Sequence, residues 1–319
     1  MACSCRNQPA SARGRFGLVL GCAVLVFVFV VLGPRFGHAQ ENAREEAARR
    51  QSALAALPRD AAKRLFGLAV TPLGGPPRPI GGYTRGCLAG AVPMPADGPG
   101  WQVMRPERNR AWGTPRLIAL IERLANAMPQ INGWPGLLIG DIGQPRGGPM
   151  LTGHDSHQIG LDADIWLRPM PTTRLTPSER EEMSSLNVVA ADGLAVDPAW
   201  TPQHRQLLEA FARDPAVERI FVNPAIKREL CREAGRDRAW LGKIRPWWRH
   251  NYHFHVRLFC PADDPDCRPQ PPPPAGDGCG RELDWWFTPE GLHPKHGPPG
   301  RPLLLSDLPP ACAAVIEAR

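Results

Sequence analysis

The sequence predicts an α+β protein in which a small, mostly antiparallel sheet is flanked by helices, stapled by disulfides and followed by an irregular, proline-rich C-terminal tail. Segments 161–167 and 252–259 alternate polar and apolar residues with the period of a strand. Segment 114–128 has the period of an amphipathic helix, and 202–213 is predicted to be another helix. The chain also contains 38 prolines in 319 residues, which favours loops over long helices.

The first 39 residues have the pattern of an export signal. Three arginines precede an almost wholly apolar run over residues 16–33. The small residues Gly37 and Ala39 stand where a signal peptidase reads, so we expect cleavage before Gln40. The alternative is an uncleaved membrane anchor, because the apolar run approaches the length that spans a bilayer. Either way, we expect the rest of the chain to lie in the periplasm, and only this segment to contact a membrane.

The next part of the chain contains two predicted helices separated by a turn-forming stretch. Residues 41–66, rich in Ala, Glu and Arg, are predicted to be helical. A proline- and glycine-rich stretch follows at 72–82. The helix at 114–128 is expected to begin with Thr114 as its N-cap and Pro115 in its first turn.

The remaining elements complete the sheet and the helices around it. Strands are predicted at 136–141, 161–167, 217–222 and 252–259, and further helices at 176–184, 202–213 and 224–234. In the second of these strands, Asp162 and Asp164 project from one face, while the apolar residues between them project from the other. Residues 269–280 form a polyproline-like connector to the tail. We expect a helical extension over 40–69 and one catalytic domain over 70–319.

The net charge of +7 does not by itself identify a binding partner. A basic surface favours polyanions, including anionic wall polymers, but it also simply keeps a protein soluble. No dense run of Lys and Arg and no recognisable nucleic-acid module is present, so we expect no nucleic-acid partner. The oligomeric state is not indicated.

Six of the nine cysteines lie beyond the signal region. They are Cys87, Cys231, Cys260, Cys267, Cys279 and Cys312. An even number of cysteines in an exported chain predicts disulfides. Zinc binding is the alternative, but only Cys260 and Cys267 are close and their spacing fits no common zinc site. Spacing alone leaves every pairing open.

Histidines cluster in two short segments, 153–164 and 250–255. Five of the nine histidines lie there, His154, His157, His250, His253 and His255. A single histidine is most often an ordinary surface or core residue. Five at strand-compatible spacings beside carboxylates indicate a metal site instead.

The geometry of strands indicates how these side chains converge. His253 and His255 are two residues apart on one predicted strand, so both project from the same face. Asp164 projects from another strand, and His157 lies in the glycine-rich loop before it. If the strands are neighbours, imidazoles and a carboxylate provide three ligands for Zn²⁺ and leave a fourth position for water, as in catalytic zinc sites.

These segments resemble the penicillin-insensitive murein endopeptidases, which belong with lysostaphin-type enzymes and D-alanyl-D-alanine carboxypeptidases to one group of zinc peptidases. The group shares H-x6-D followed by H-x-H, here His157 to Asp164 and His253 to His255. The closer resemblance to the murein endopeptidases extends from about Gly82 to Cys312. It includes segments 104–106, 153–162, 221–227, 245–247, 255–257, 260–263 and 276–280.

The resemblance implies roles for individual residues. His157, Asp164 and His255 would be zinc ligands, and His154 is grouped with the metal site. His250 and His253 would be catalytic histidines that are not ligands. The implied disulfides are Cys87–Cys312, Cys231–Cys279 and Cys260–Cys267. A second zinc site is doubtful, because residues 192–195 lack the histidine that some relatives have there.

The implied function is zinc-dependent hydrolysis of the D-alanyl–meso-diaminopimelyl cross-link of peptidoglycan by a DD-endopeptidase. A D-Ala-D-Ala carboxypeptidase acting on wall peptides is the alternative. Two further alternatives are a wall-binding protein with a degenerate site and a structural zinc module.

No glutamate lies in either motif, so His250 or His253 is the expected general base. Asp162 either orients a ligand or is a buried structural carboxylate. Arg105, Arg108 and Arg110 either hold substrate carboxylates or form a solvated surface.

Overall fold

The computed structural model describes residues 35–295, 297 and 300–318. Residues 1–34 of the expected export signal therefore lie outside the described residues. Within them, no helix combines the length and the apolar character needed to cross a bilayer.

The helices largely follow the sequence-based predictions. They are α1 (Arg35–Ala55), α2 (Ala62–Leu68), α3 (Pro115–Ile131), α4 (Pro177–Glu182), α5 (Pro202–Arg213), α6 (Pro224–Glu233), α7 (Arg281–Asp284), α8 (Pro289–Leu292) and α9 (Ala311–Glu317). The predicted helix over 41–66 is interrupted between α1 and α2. Pro58 lies in the gap, and proline cannot donate the backbone hydrogen bond that a continuous helix needs.

The strands also include several that the sequence did not indicate. They are β1 (Arg78–Gly82), β2 (Arg85–Ala89), β3 (Val92–Pro93), β4 (Asp97–Gly98), β5 (Trp101–Val103), β6 (Trp112–Gly113), β7 (Leu137–Ile139), β8 (Asp162–Pro169), β9 (Val217–Val222), β10 (Ile244–Pro246) and β11 (His253–Leu258). The stretch at 72–82 was expected only to turn, yet it contains β1, which pairs antiparallel with β2.

A seven-stranded sheet in the order β10-β9-β11-β8-β7-β5-β4 forms the centre of the molecule. Its pairings are antiparallel except for β10 with β9 and β5 with β7. The prediction of a mostly antiparallel sheet in an α+β fold is therefore confirmed.

The two faces of the central strands have opposite chemistry. From β11, Phe254 and Val256 enter the main hydrophobic core, where Phe254 packs edge-on against Phe211 of α5 at 5.1 Å between ring centroids. The apolar face of α3 is buried in the same core. Burial of a side chain such as Phe254 contributes about 1.5–3 kcal/mol. This packing holds the strands rigidly, so the polar residues of their opposite face have defined positions.

The described residues contain three disulfides, of which two connect the C-terminal part of the chain to the body and one closes a local loop. Cys87–Cys312 joins β2 to α9, Cys231–Cys279 joins α6 to the segment before α7, and Cys260–Cys267 closes a loop after β11. These are the pairs that the family resemblance implies. The tail is not wholly irregular, because α7, α8 and α9 lie within it, whereas residues 269–280 contain neither helix nor strand.

Candidate metal centre

The pairing of β8 with β11 brings the two polar motifs together. His255 lies directly opposite Asp164, and Arg257 lies opposite Asp162. Side chains of directly opposed residues share a face of the sheet and are immediate neighbours. The register therefore places an imidazole against a carboxylate.

His157 reaches this site from the loop before β8. Its backbone is left-handed, with φ of 64°, and its N–H donates to Asp162 Oδ2 over 3.2 Å. The Nδ1 atom lies 2.7 Å from the carbonyl oxygen of Ile142, which can only accept, so Nδ1 carries the proton. In the neutral ring the Nε2 atom therefore has the lone pair, and it lies 3.2 Å from Asp164 Oδ1. Burial opposes protonation of His157, but the charges of Asp164 and Asp162 raise its pKa above the ordinary value, so a bound cation would replace the proton on Nε2. A left-handed backbone at a non-glycine residue is uncommon and is often found at functional sites.

His255 has the complementary tautomer. Its Nε2 lies 2.7 Å from Asp162 Oδ1, which also accepts from Arg257 Nε over 2.6 Å. Burial opposes the ionisation of Asp162, but the charges of Arg257 and His255 hold its pKa below the ordinary value. Burial and the neighbouring His157 lower the pKa of His255 to about 3. The His255 imidazole is therefore neutral and presents the Nδ1 lone pair to the site, 3.2 Å from His157 Nε2.

Asp164 is the common neighbour of these imidazoles. Its Oδ1 lies 3.7 Å from His255 Nδ1, and its Oδ2 lies 3.4 Å from His253 Nε2. Burial opposes ionisation of Asp164, but the charges of His253 and His157 hold its pKa well below the ordinary value. Oδ1 is buried and makes no hydrogen bond. An ionised oxygen without a partner is costly in the interior, and a bound cation would offset that cost.

The separations of the donor atoms fit zinc. His157 Nε2, His255 Nδ1 and Asp164 Oδ1 are 3.2, 3.2 and 3.7 Å apart. Ligands about 2.05 Å from a tetrahedral ion are about 3.3 Å from one another. The three groups therefore have the chemistry and the spacing of three ligands to one ion.

His154 adds a fourth donor beside Asp164. Its Nδ1 lies 3.7 Å from Asp164 Oδ2, and one donor atom from each of His154, His157 and Asp164 can be chosen so that all lie within 4.8 Å of one another. Its Nε2 lies 3.0 Å from Asp141 Oδ2, which also accepts from Arg110 Nη1 over 3.0 Å. The carboxylate thus orients the ring and leaves Nδ1 facing the site.

Asp141 is a site residue that sequence reasoning missed. It lies two residues beyond the end of β7 and is buried. Burial opposes its ionisation, but the hydrogen bond from His154 and the charge of Arg110 hold its pKa below the ordinary value. The sequence did contain a signal, an aspartate at the end of an apolar run. Aspartate is rarely buried unless it is paired, so its position indicates a partner in the fold.

His250 and His253 lie beside the donor cluster, with their ring centroids 4.9 Å apart. His250 Nδ1 lies 2.8 Å from the carbonyl oxygen of Trp248, so Nδ1 donates and Nε2 keeps its lone pair. Burial, with the nearby His253, lowers the pKa of His250 to about 4, and burial also lowers that of His253. Both rings are therefore neutral near pH 7 and able to accept a proton.

Backbone geometry holds His250 in place. Arg249 and His250 are consecutive left-handed residues, with φ of 63° and 48°. Asn223 secures both, since its backbone N–H donates to the carbonyl of His250 over 3.1 Å and its side chain donates to that of Arg249 over 2.9 Å.

The three arginines proposed to bind substrate carboxylates differ in availability. Arg110 is buried and bonded to Asp141 and to the carbonyl of Thr152. Arg105 donates to the carbonyl of Met183 over 3.1 Å. Arg108 has a side chain that is 42% exposed and a longer contact of 3.5 Å with Asp141. Arg108 is thus the best placed of the three to meet a solute anion.

Comparison with known proteins identifies the family. A family model described as penicillin-insensitive murein endopeptidase matches residues 79–317. The chain belongs to this family. It is peptidase family M74, a family of metallopeptidases, so the resemblance carried by the two histidine motifs is confirmed.

Individual relatives are similar over most of their length. The chain is 48% identical over 249 residues to a penicillin-insensitive murein endopeptidase of Klebsiella pneumoniae subsp. pneumoniae, a match that covers 77% of this chain and 88% of the relative. The protein of that name from Yersinia enterocolitica is 47% identical over 247 residues, with the same coverage. That from Haemophilus influenzae is 51% identical over 222 residues, covering 66% of this chain and 73% of the relative. The range matched by the family model contains the whole candidate metal centre and begins after α2.

Proposed function

We propose that the chain is a zinc-dependent DD-endopeptidase that hydrolyses the D-alanyl–meso-diaminopimelyl cross-link of peptidoglycan. One observation carries this proposal most directly. Donor atoms of His157, His255 and Asp164 converge at separations of 3.2–3.7 Å, and the Asp164 oxygen among them is buried. Membership of a metallopeptidase family, and relatives named murein endopeptidases, supply the reaction class and the substrate.

His157, Asp164 and His255 would hold the ion, with His154 as a further donor. Zinc at such a site supplies a Lewis acid that lowers the pKa of water to about 7 and polarises a carbonyl oxygen. Asp162 holds His255 by accepting a hydrogen bond from its Nε2–H, and Asp141 does the same for His154. These hydrogen bonds keep the ligating lone pairs aimed at one point.

His250 and His253 would handle the protons of the reaction. One imidazole accepts a proton from water as the oxygen forms its bond to the D-alanyl carbonyl carbon. The same proton then passes to the diaminopimelyl amine as the C–N bond breaks. The second imidazole would stabilise the charge that develops on the carbonyl oxygen. Water is the nucleophile throughout, so no serine acyl-enzyme is required.

The proposal includes the location and the organisation of the chain. Residues 1–39 would act as the export signal, 40–69 as a helical extension and 70–319 as the catalytic domain. A periplasmic location would bring the enzyme to its wall substrate. Retention of the N-terminal segment would be the single link to the membrane.

Digestion of purified cross-linked muropeptide dimers, followed by mass spectrometry, tests this function. We expect dimers to be converted to monomers, the reaction to stop with a zinc chelator, and activity to return with Zn²⁺. Release of D-alanine from pentapeptide monomers with intact dimers would indicate a carboxypeptidase instead. Thermal melting of the chelated protein is the control, because removal of a purely structural zinc would unfold the chain.

A further inference from the structure

Four tryptophans form a partly exposed cluster next to the candidate metal centre. They are Trp247 and Trp248 after β10 and Trp285 and Trp286 after α7, and we call them the tryptophan cluster. Ring centroids are 5.3 Å apart for Trp247–Trp248, 4.7 Å for Trp248–Trp286 and 5.2 Å for Trp285–Trp286. Trp247 is 48% exposed and Trp285 is 46% exposed. Trp248 and Trp286 are half-buried between them. Tryptophan is usually highly buried, so two exposed tryptophans supported by two more indicate a contact surface.

The cluster is built from two segments that are distant in sequence. The indole N–H of Trp248 donates to the carbonyl of Gly291 over 2.7 Å. Any side chain at Gly291 would collide with the backbone of Trp285, 2.3 Å from the added carbon. The disulfide Cys231–Cys279 anchors the tail just before α7. The surface is therefore held in shape before any ligand arrives, which lowers the entropy cost of binding.

A continuous path of rings connects the cluster to the metal centre. Phe221 of β9 lies opposite His255 in the sheet, and their ring centroids are 5.3 Å apart. The Phe221 ring is in turn 5.9 Å from that of Trp247. The cluster thus begins two ring-to-ring steps from a proposed zinc ligand.

We propose that the tryptophan cluster binds the sugar rings of the glycan strand that carries the cross-linked peptides. This inference rests on the proposed function. The stem peptides of murein are only a few residues long, and an extended chain spans about 3.5 Å per residue, so the sugar lies on the order of 10 Å from the bond that is cut. Trp247, the member of the tryptophan cluster nearest to Phe221, lies within that reach of His255 through the two ring contacts described above.

The chemistry of the surface favours a neutral sugar. Pyranose rings present a flat face of C–H groups, whose partial positive charge matches the negative face of an aromatic ring. The segments that carry the cluster also carry exposed charges of both signs, Arg249, Asp284 and Glu290. Such mixed charge does not suit an anionic lipid surface, which attracts cations.

Two measurements on the full-length protein test the proposal. In the first, chitotetraose is titrated into wild type and into Trp285→Ala, Trp285→Met and Phe259→Ala. Phe259 is an equally exposed aromatic residue after β11, outside the cluster, and serves as the matched control. We expect wild type and Phe259→Ala to bind, and both Trp285 variants to bind at least about fivefold more weakly, the effect of losing roughly 1 kcal/mol of aromatic contact. The methionine variant matters because it keeps apolar area but removes the flat ring.

The second measurement compares cleavage rates on intact sacculi and on cross-linked peptides from which the glycan has been removed. We expect the ratio of the two rates to fall about fivefold or more in both Trp285 variants and to stay unchanged in Phe259→Ala. An unchanged ratio, or full chitotetraose binding by Trp285→Ala, would overturn the proposal. So would a dimer of the protein in sedimentation that Trp285→Ala dissociates, since a second copy would then cover the cluster.

The two proposals fail in different ways. A wild-type protein that cuts neither substrate contradicts the endopeptidase function, whereas the sugar titration still reports on the cluster. A wild-type protein that cuts cross-links but does not bind chitotetraose contradicts the sugar site alone. The melting temperature of each variant shows that it is folded, and Trp247→Ala replaces any Trp285 variant that is not.

Discussion

His255 lies directly opposite Asp164 in the antiparallel pairing of β11 with β8, with His255 Nδ1 3.7 Å from Asp164 Oδ1. This relationship closes the candidate metal centre, because it brings together two motifs that are far apart in the chain. His157 completes it from the loop, with Nε2 3.2 Å from both partner atoms. The following predictions test this arrangement and the elements that support it.

Replacement of Asp164 by asparagine should remove the metal. Asparagine keeps the shape of the side chain but loses the negative charge that faces the imidazoles. We expect Asp164→Asn to purify with little zinc and to lose at least about a hundredfold of the activity on muropeptide dimers. Elemental analysis and the digestion assay measure the two effects. Asp263→Asn, at an exposed carboxylate, should behave as wild type, and full zinc content in Asp164→Asn would contradict the ligand assignment.

Asp141→Asn should weaken metal binding without abolishing it. Asp141 accepts from His154 Nε2 and so keeps His154 Nδ1 directed at Asp164. Loss of such a supporting carboxylate typically lowers metal affinity about 10–100-fold. Competition with a chromophoric chelator measures the change. Asp155→Asn, at an exposed carboxylate beside His154, is the matched control, and an equal loss in both variants would show that Asp141 has no special role.

Lys227 should make folding stability depend on pH in the alkaline range. This lysine of α6 is fully buried and donates to the carbonyls of Leu241 and Asp277. Burial, with the nearby charge of Arg245, lowers its pKa from 10.5 to about 7. Between those two values the unfolded chain keeps the proton that the folded chain has released, so the free energy of unfolding rises with pH.

Lys227→Met should lack this pH dependence. The slope from one such group is at most about 1.4 kcal/mol per pH unit. From pH 7 to pH 9, the wild-type free energy of unfolding should therefore gain up to about 2 kcal/mol relative to the variant. Denaturant titration at the two pH values measures this gain. A constant difference between the two proteins would show that Lys227 keeps its charge in the fold.

The disulfides should differ in their contribution to stability. Cys231–Cys279 spans 48 residues and Cys260–Cys267 spans 7. Constraint of the unfolded chain predicts about 4 kcal/mol for the longer loop and about 2 kcal/mol for the shorter. Paired alanine substitutions and thermal melting should therefore show a larger loss for Cys231 with Cys279. The reverse order would mean that strain or residual structure in the unfolded chain dominates.

Much of the fold was predictable because the signals are local. Helix α3 follows from apolar periodicity and from the proline in its first turn, both of which depend on residues a few positions apart, and α5 and α6 were also predicted as helices. The strand at 136–141 and those that carry the histidine motifs were also found. The hairpin of β1 and β2 was missed, because its glycines and prolines indicate turns and carry no alternating pattern.

The candidate site was only partly predictable for the same reason. That His253 and His255 share a face follows from the period of a strand. The orientation of each imidazole ring does not follow from the sequence. It depends on hydrogen bonds to Asp162, Asp141 and the carbonyl of Ile142, which no local pattern connects to the histidines. The tryptophan cluster was likewise hidden, since its two halves meet only after the tail is anchored to α6.

The sequence by itself determined which segments form helices or strands, which residue types could bind a metal, and that the exported part of the chain has an even number of cysteines. Periodicity, capping and composition act within a few residues and can be read from the chain. Only the tertiary structure decided that Asp164 faces His255, which lone pairs are free, and which surface lies beside the centre. Strand register and hydrogen-bond partners are set by contacts between residues far apart in the chain, and a register shift of one residue would have turned the same side chains to the opposite face.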